Sequence, residues 1–188
     1  MGAVRGRKRR ALLVAVAAIA AVGVASVALA ATVNCTGGAC VGTNGDDQIT
    51  GTAGSDQISA RFGNDVVDAN QGGKDYVSGS SGNDLVIVDF SDGSTVEGGF
   101  GNDRIFGEGG GGDSFYGGWG NDTLFNGGGV PYSLNGGPGS DTLISAEGEG
   151  GDTLNGGVGN DTCIGSETGA NFGTDTFISC ETIIDSSA

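Results

Sequence analysis

A nine-residue phrase returns along this chain at a nearly constant interval, and no other feature limits the fold as strongly. It reads GTNGDDQIT from Gly42, ARFGNDVVD from Ala60, GSSGNDLVI from Gly79 and GGFGNDRIF from Gly98. It continues as GGWGNDTLF from Gly117, GGPGSDTLI from Gly136 and GGVGNDTCI from Gly156. Successive starts lie 18 to 20 residues apart, and each period divides into two units of nine or ten. The unit has the form G-G-x-G-[ND]-D-x-U-x, where U is apolar. Glycines at positions one, two and four permit positive φ and close backbone approach, so the first six residues can wrap a tight turn. The x-U-x tail alternates outward, inward, outward, as a short strand does. Two turns and two strands make one coil, and stacked coils make a parallel solenoid.

The inward positions after the first kind of turn are Ile49, Val67, Val86, Ile105, Leu124, Leu143 and Cys163. After the second kind they are Ile58, Val77, Val96, Phe115, Leu134, Leu154 and Phe177. These predict a narrow two-layer core. The chain also carries 41 glycines in 188 residues, and ordering a residue costs about 1–2 kcal/mol. A core this thin calls for a second source of stability at the turns.

Positions five and six supply a candidate. One edge of the predicted solenoid carries Asp46-Asp47, Asn64-Asp65, Asn83-Asp84, Asn102-Asp103, Asn121-Asp122, Ser140-Asp141 and Asn160-Asp161. Stacked in register, the seven sixth-position carboxylates form a row at roughly 5 Å spacing. A bare row of that kind repels itself. Calcium takes six to eight oxygens in a flexible cage, whereas magnesium demands tighter octahedral geometry and dehydrates reluctantly. Calcium is therefore the cation these turns suit.

The array resembles the RTX, or haemolysin-type, calcium-binding repeat family, over roughly residues 42–179, and its tail resembles small secreted actinobacterial members. The resemblance implies an all-β fold, a parallel β-roll (a two-layer right-handed β-solenoid), here preceded by an N-terminal signal helix. It implies Asp47, Asp65, Asp84, Asp103, Asp122, Asp141 and Asp161 as metal ligands, with turn carbonyls completing each site. Seven turns leave six gaps, hence about six calcium ions.

The opposite edge departs from the pattern. After GTAGSDQIS at Gly51, most of its units have gained a residue, and Ser94 and Tyr132 stand where aspartate is expected. Asp56, Asp75, Asp113 and Asp152 remain, but that edge is expected to be plain turn. Position nine is also asymmetric. After the metal edge it carries Ile87, Phe106, Phe125, Ile144 and Ile164. These form either an outward face for self-association or, if the added residue re-aims them, extra core. The third-position row is Asn44, Phe62, Ser81, Phe100, Trp119, Pro138 and Val158.

Residues 1–30 are different material: five basic residues, an Ala-rich apolar run, and Ala28-Leu29-Ala30 as an A-x-A-like cleavage site. This is a signal peptide pattern and implies a secreted, extracellular chain; Sec and Tat export both stay open. The expected divisions are 1–30 signal peptide, 31–41 a loop holding Cys35 and Cys40, 42–180 the calcium-binding roll, and 181–188 a tail. Past the leader, three basic residues oppose 23 acids, a balance of 3 − 23 = −20. Nucleic acid and anionic membrane are poor partners for such a surface. Four cysteines in an exported chain read as disulfides with three possible pairings. The short Cys35–Cys40 spacing suggests a local loop, which leaves Cys163 with Cys180.

No histidine is present, which excludes Ser-His-Asp triads and H-E-x-x-H zinc sites. The repeat already accounts for the many carboxylates, so no catalytic pair stands out. The expected function is that of an exported, non-catalytic calcium-binding β-roll that folds on binding. The alternatives are a calcium-dependent adhesion or carbohydrate-binding module contacting cell-surface polysaccharide or protein through Phe62, Phe100 and Trp119, an ice-binding solenoid, and a remnant of a larger RTX enzyme or toxin. The irregular third-position row speaks against the ice-binding reading.

Overall fold

The computed structural model describes residues 31–89, 93–108, 112–128, 131–145, 151–165 and 175–185. The leader expected over 1–30 lies outside the described residues. Numbered in chain order, the odd strands are β1 (Ala31–Asn34), β3 (Asp47–Thr50), β5 (Val66–Gln71), β7 (Leu85–Asp89), β9 (Arg104–Glu108), β11 (Thr123–Asn126), β13 (Thr142–Ser145), β15 (Thr162–Gly165) and β17 (Thr182–Asp185). The even strands are β2 (Gly38–Val41), β4 (Asp56–Phe62), β6 (Tyr76–Ser81), β8 (Thr95–Phe100), β10 (Ser114–Trp119), β12 (Ser133–Gly139), β14 (Thr153–Gly159) and β16 (Thr176–Ile178).

All odd strands lie in one parallel sheet and all even strands in another, each in sequence order. The chain alternates between the two sheets at every turn, so the fold is an all-β parallel β-solenoid. Register follows the repeat. Ile49 pairs with Val67, Val67 with Val86 and Val86 with Ile105 in the odd sheet, while Val77 pairs with Val96 and Val96 with Phe115 in the even sheet.

Alternation along each short strand decides what is buried. The inward residues Ile49, Val67, Val77, Val86, Val96, Ile105, Phe115, Leu124, Leu143, Leu154 and Cys163 have no exposed surface, and Ile58 and Leu134 have almost none. Phe177, in the last even strand, is only partly covered. Ala60, Ala69 and Val88 add to the core from positions flanking the predicted ones. The turns are as tight as their composition demands. Gly101 has φ +133°, and a Cβ there would sit 1.8 Å from the Gly82 carbonyl oxygen of the preceding coil. Only glycine fits so close a backbone approach.

Strict alternation also settles position nine. Ile87, Phe125, Ile144 and Ile164 are half-buried on the outer face of the odd sheet, outside the core. Of the two readings, the one in which an added residue turns them inward is therefore overturned. Phe106 is buried on that outer face, with its ring 6.0 Å from Phe125. Successive members pair directly, from Ile87 with Phe106 to Ile144 with Ile164 and Ile164 with Ile184.

Sheet pairing runs past the 42–180 span expected for the roll. β1 pairs with β3 and β2 with β4 at one end, and β17 pairs with β15 at the other. Cys35 is bonded to Cys40 and Cys163 to Cys180. Cys40 stands in register with Ile58, and Cys163 with Leu143, so each bridge ties into one end of the core ladder.

Candidate metal centre

The sixth-position aspartates form the predicted row, and all seven are at most 2 % exposed. They are held by a contact that the repeat does not announce. The backbone N–H of Asp65 donates to Oδ1 of Asp84, that of Asp84 to Asp103, that of Asp103 to Asp122 and that of Asp122 to Asp141, all at 2.7–2.8 Å. The pattern extends to Asp47 on Asp65 and Asp141 on Asp161. Each carboxylate thus satisfies a buried donor in the coil before it.

Position five works in the other direction. The N–H of Asn83 donates to Oδ1 of Asn64, that of Asn102 to Asn83, that of Asn121 to Asn102 and that of Ser140 to Asn121. Adjacent coils are therefore clasped twice, by a neutral exposed amide reaching forward and a buried carboxylate reaching back. This explains why the two positions differ in residue type.

One oxygen of each clasping aspartate is left over. The Oδ2 atoms of Asp65, Asp84, Asp103, Asp122, Asp141 and Asp161 are buried without a hydrogen-bond partner. A buried, unpaired carboxylate oxygen is costly, and here six recur in sequence. Burial is the main reason that the carboxyls of Asp65, Asp103, Asp122 and Asp141 are pushed up to about 6. Asp84, between Asp65 and Asp103 in the row, reaches about 7. Asp47 is not among the aspartates with an orphan oxygen, because its carboxylate accepts from the N–H and hydroxyl of Thr43 in its own turn.

The oxygens beside these orphans are backbone carbonyls. At Gly98 an added Cβ would lie 2.4 Å from Asp103 Oδ2 and 2.5 Å from the Gly117 carbonyl oxygen. At Gly117 it would lie 2.4 Å from Asp122 Oδ2 and 2.7 Å from the Gly136 carbonyl oxygen. Gly79, Gly136 and Gly156 repeat the arrangement. Position one is thus a cradle in which carboxylate and carbonyl oxygens from two coils converge. Among the described residues no three acidic, cysteine or histidine side chains gather at one point. A cation here must draw on carbonyls and water as well as carboxylates, which is the donor mix of calcium. The residues fit that ion.

The opposite edge is more than the plain turn that the sequence suggested. Asp56, Asp75, Asp113 and Asp152 are buried, and the same backward capping recurs. The N–H of Asp56 donates to Asp75, that of Ser94 to Asp113 and that of Tyr132 to Asp152. Where aspartate is replaced, Ser94 keeps the cap through its hydroxyl, accepting from the N–H of Asp75 at 2.8 Å. Farther along, side chains do what a cation would do: Asp152 Oδ2 accepts from Asn126 at 3.2 Å and from the Ser145 hydroxyl. Unpaired oxygens on this edge occur at Asp56 and Asp75.

Sequence reasoning missed two members of these rows. The N–H of Asp161 donates to Oε2 of Glu181 at 2.7 Å, so a glutamate closes the metal edge. Asp175 does the same for Asp152 on the other edge. Glu181 was legible: Glu181-Thr-Ile-Ile lies 20 residues after Asp161-Thr-Cys-Ile, with glutamate in place of aspartate at the sixth position.

The family model of the RTX calcium-binding nonapeptide repeat matches residues 41–73, 71–86, 91–111, 98–130 and 135–167, together more than half of the chain. No curated protein matched the chain significantly.

Proposed function

The chain belongs to the RTX calcium-binding nonapeptide repeat family, and from that membership we propose an exported, non-catalytic β-roll that orders itself by binding a row of calcium ions along one edge. The observation that carries this reading is the run of six buried, unpartnered Oδ2 atoms from Asp65 to Asp161. Asp65, Asp84, Asp103, Asp122, Asp141 and Asp161 hold the ions together with first-position carbonyls, and Asp47 contributes at the end of the row. About six ions suit the six gaps between seven aspartates, each taking oxygens from two neighbouring turns. Bound calcium supplies the positive charge that lets these carboxylates remain ionised while buried. Its binding free energy becomes folding free energy, because the site exists only when two coils are stacked.

Export is supported by the leader pattern of residues 1–30 and by the two disulfides. The absence of histidine supports a non-catalytic role. Calcium titration of the metal-stripped mature chain, followed by far-ultraviolet circular dichroism and calorimetry, tests the proposal. The expected result is a rise in β-signal with several ions bound per chain. A spectrum that is equally folded with and without calcium would sink it.

A further inference from the structure

Third-position side chains stand at the ends of the even strands, immediately before the metal edge. Phe62, Phe100 and Trp119 are 59 %, 61 % and 62 % exposed there, and Val158 is 75 % exposed. Phe62 pairs with Ser81, Ser81 with Phe100, Phe100 with Trp119, and Pro138 with Val158. Six consecutive coils therefore carry one outward row along the roll. The rings of Phe100 and Trp119 lie 6.3 Å apart with 24° between their planes. At that separation they are offset and not squarely stacked, so each keeps part of a face open to water.

The fifth-position residues beside the row are uncharged, although Arg61 stands exposed next to Phe62. Position five carries Asn83, Asn102, Asn121 and Ser140, all exposed. The amide oxygens of the three asparagines are engaged by the next coil's N–H, which leaves their NH₂ groups to donate elsewhere. A polyanion is excluded by the −20 balance of residues 31–188, three bases against 23 acids. What fits is a neutral polymer with apolar ring faces, hydroxyl-bearing rims and a repeat that matches the coils. One coil rises roughly 4.8 Å, close to the length of one pyranose in an extended β-linked chain. Phe62 and Phe100, two coils apart, would meet like faces of alternate sugars.

We infer that this row is a binding platform for a neutral β-linked polysaccharide laid along the roll axis from Phe62 to Val158. Aromatic faces take the C–H faces of the sugars, and the asparagine amides take their hydroxyls. The inference rests on the calcium reading in one respect: the row is aligned only when the metal-edge turns are ordered.

The test is affinity electrophoresis of the calcium-loaded mature protein with soluble cello-, chito- and laminari-oligosaccharides, and with polygalacturonate as the anionic counterpart. At least one neutral series should retard the wild type, and Trp119→Ala or Phe100→Ala should weaken that retardation roughly tenfold. Both side chains are exposed, so both variants should keep the wild-type calcium-induced circular dichroism change. No retardation by any neutral series, retardation by polygalacturonate alone, or undiminished binding by Trp119→Ala would each overturn the inference. Intact calcium responses beside absent glycan binding would remove the platform and leave the calcium reading standing.

Discussion

Oδ1 of Asp103 accepts the backbone N–H of Asp84 at 2.8 Å, while Oδ2 of the same carboxylate is buried without a partner. One side chain thus has two separable duties, closing the preceding turn and presenting an anionic oxygen. Asp103→Asn keeps an amide oxygen for the first duty and removes the charge needed for the second. Asp103→Ala removes both. Calcium stoichiometry should fall in both variants, and in the alanine variant the thermal midpoint should fall further, since an orphaned buried N–H costs about 1–3 kcal/mol. Titration calorimetry and melting curves check this; unchanged stoichiometry in both variants would remove Asp103 from the ligand set.

The two edges should respond differently. Asp113→Ala unpairs the buried N–H of Ser94, which it holds at 2.6 Å. It should therefore destabilise by about 1–3 kcal/mol while leaving calcium stoichiometry intact. Asp47, at the end of the row and already engaged by Thr43, should matter less for binding than Asp103. If Asp113→Ala lowers the number of bound ions as much as Asp103→Ala does, the metals are not confined to the first edge.

The metal-free roll should be stabilised by acid. Burial raises the carboxyls of Asp65, Asp103, Asp122 and Asp141 from 3.8 to about 6, and that of Asp84 to about 7. A folded-state pKa above the unfolded one contributes stability that is present at low pH and lost as pH rises through the folded value. In metal-stripped buffer the β-signal should thus be stronger near about pH 5 than near about pH 7.5, the loss running upward from the unfolded value of 3.8 and finishing at about 6 to about 7. Calcium should restore it at the higher pH. A metal-free chain that unfolds on acidification over this range would contradict the assignment.

At Gly79, Gly98, Gly117, Gly136 and Gly156 an added Cβ would meet converging oxygens, whereas in the coil of Asp65 position one is already Ala60. Gly117→Ala places a methyl 2.4 Å from Asp122 Oδ2, and the carboxylate, the adjoining coil or both must shift. Calcium affinity should drop and the melting temperature with it. Gly54→Ala is the contrasting case, because its nearest neighbour would be the Thr52 hydroxyl at 3.7 Å. Equal losses in the two variants would argue against the cradle.

The bridges should contribute unequally. Cys163–Cys180 closes a separation of 17 residues and Cys35–Cys40 one of 5. Chain-entropy reasoning gives about 3 kcal/mol for a loop of the longer kind and less for the shorter. Replacing Cys163 and Cys180 by alanine should lower the melting midpoint of the calcium-loaded protein more than replacing Cys35 and Cys40. The reverse order would refute this.

Much of the architecture could be read directly because one rule, alternation after a fixed turn, decides the direction of each core residue in the ladder from Ile49 to Cys163. The aspartate row was legible for the same reason. What escaped was pairing between coils. Nothing within a single nonapeptide tells that Asp84 caps Asp65 or that Asn64 caps Asn83, since both are relations across a whole period. Glu181 escaped because glutamate replaces aspartate, and β1, β2 and β17 because strands at an open end need no complete repeat. On the second edge, Ser94 conserves the cap with a different atom, and Asn126 and Ser145 reach Asp152 from distant positions. Spacing alone carries none of that.

The backward cap gives the chain a direction in time. The N–H of Asp84 waits for Asp103, 19 residues later, and that of Asp161 waits for Glu181, 20 residues later. A polypeptide delivered N-terminus first, from a ribosome or through a pore, is therefore always one coil short of finishing the turn it has just released. The sixth-position N–H of the latest coil stays uncapped until its successor emerges, and the edge is complete only when Glu181 is free. Such a chain stays threadable while it is in transit and locks from its first coil onward as the remainder arrives.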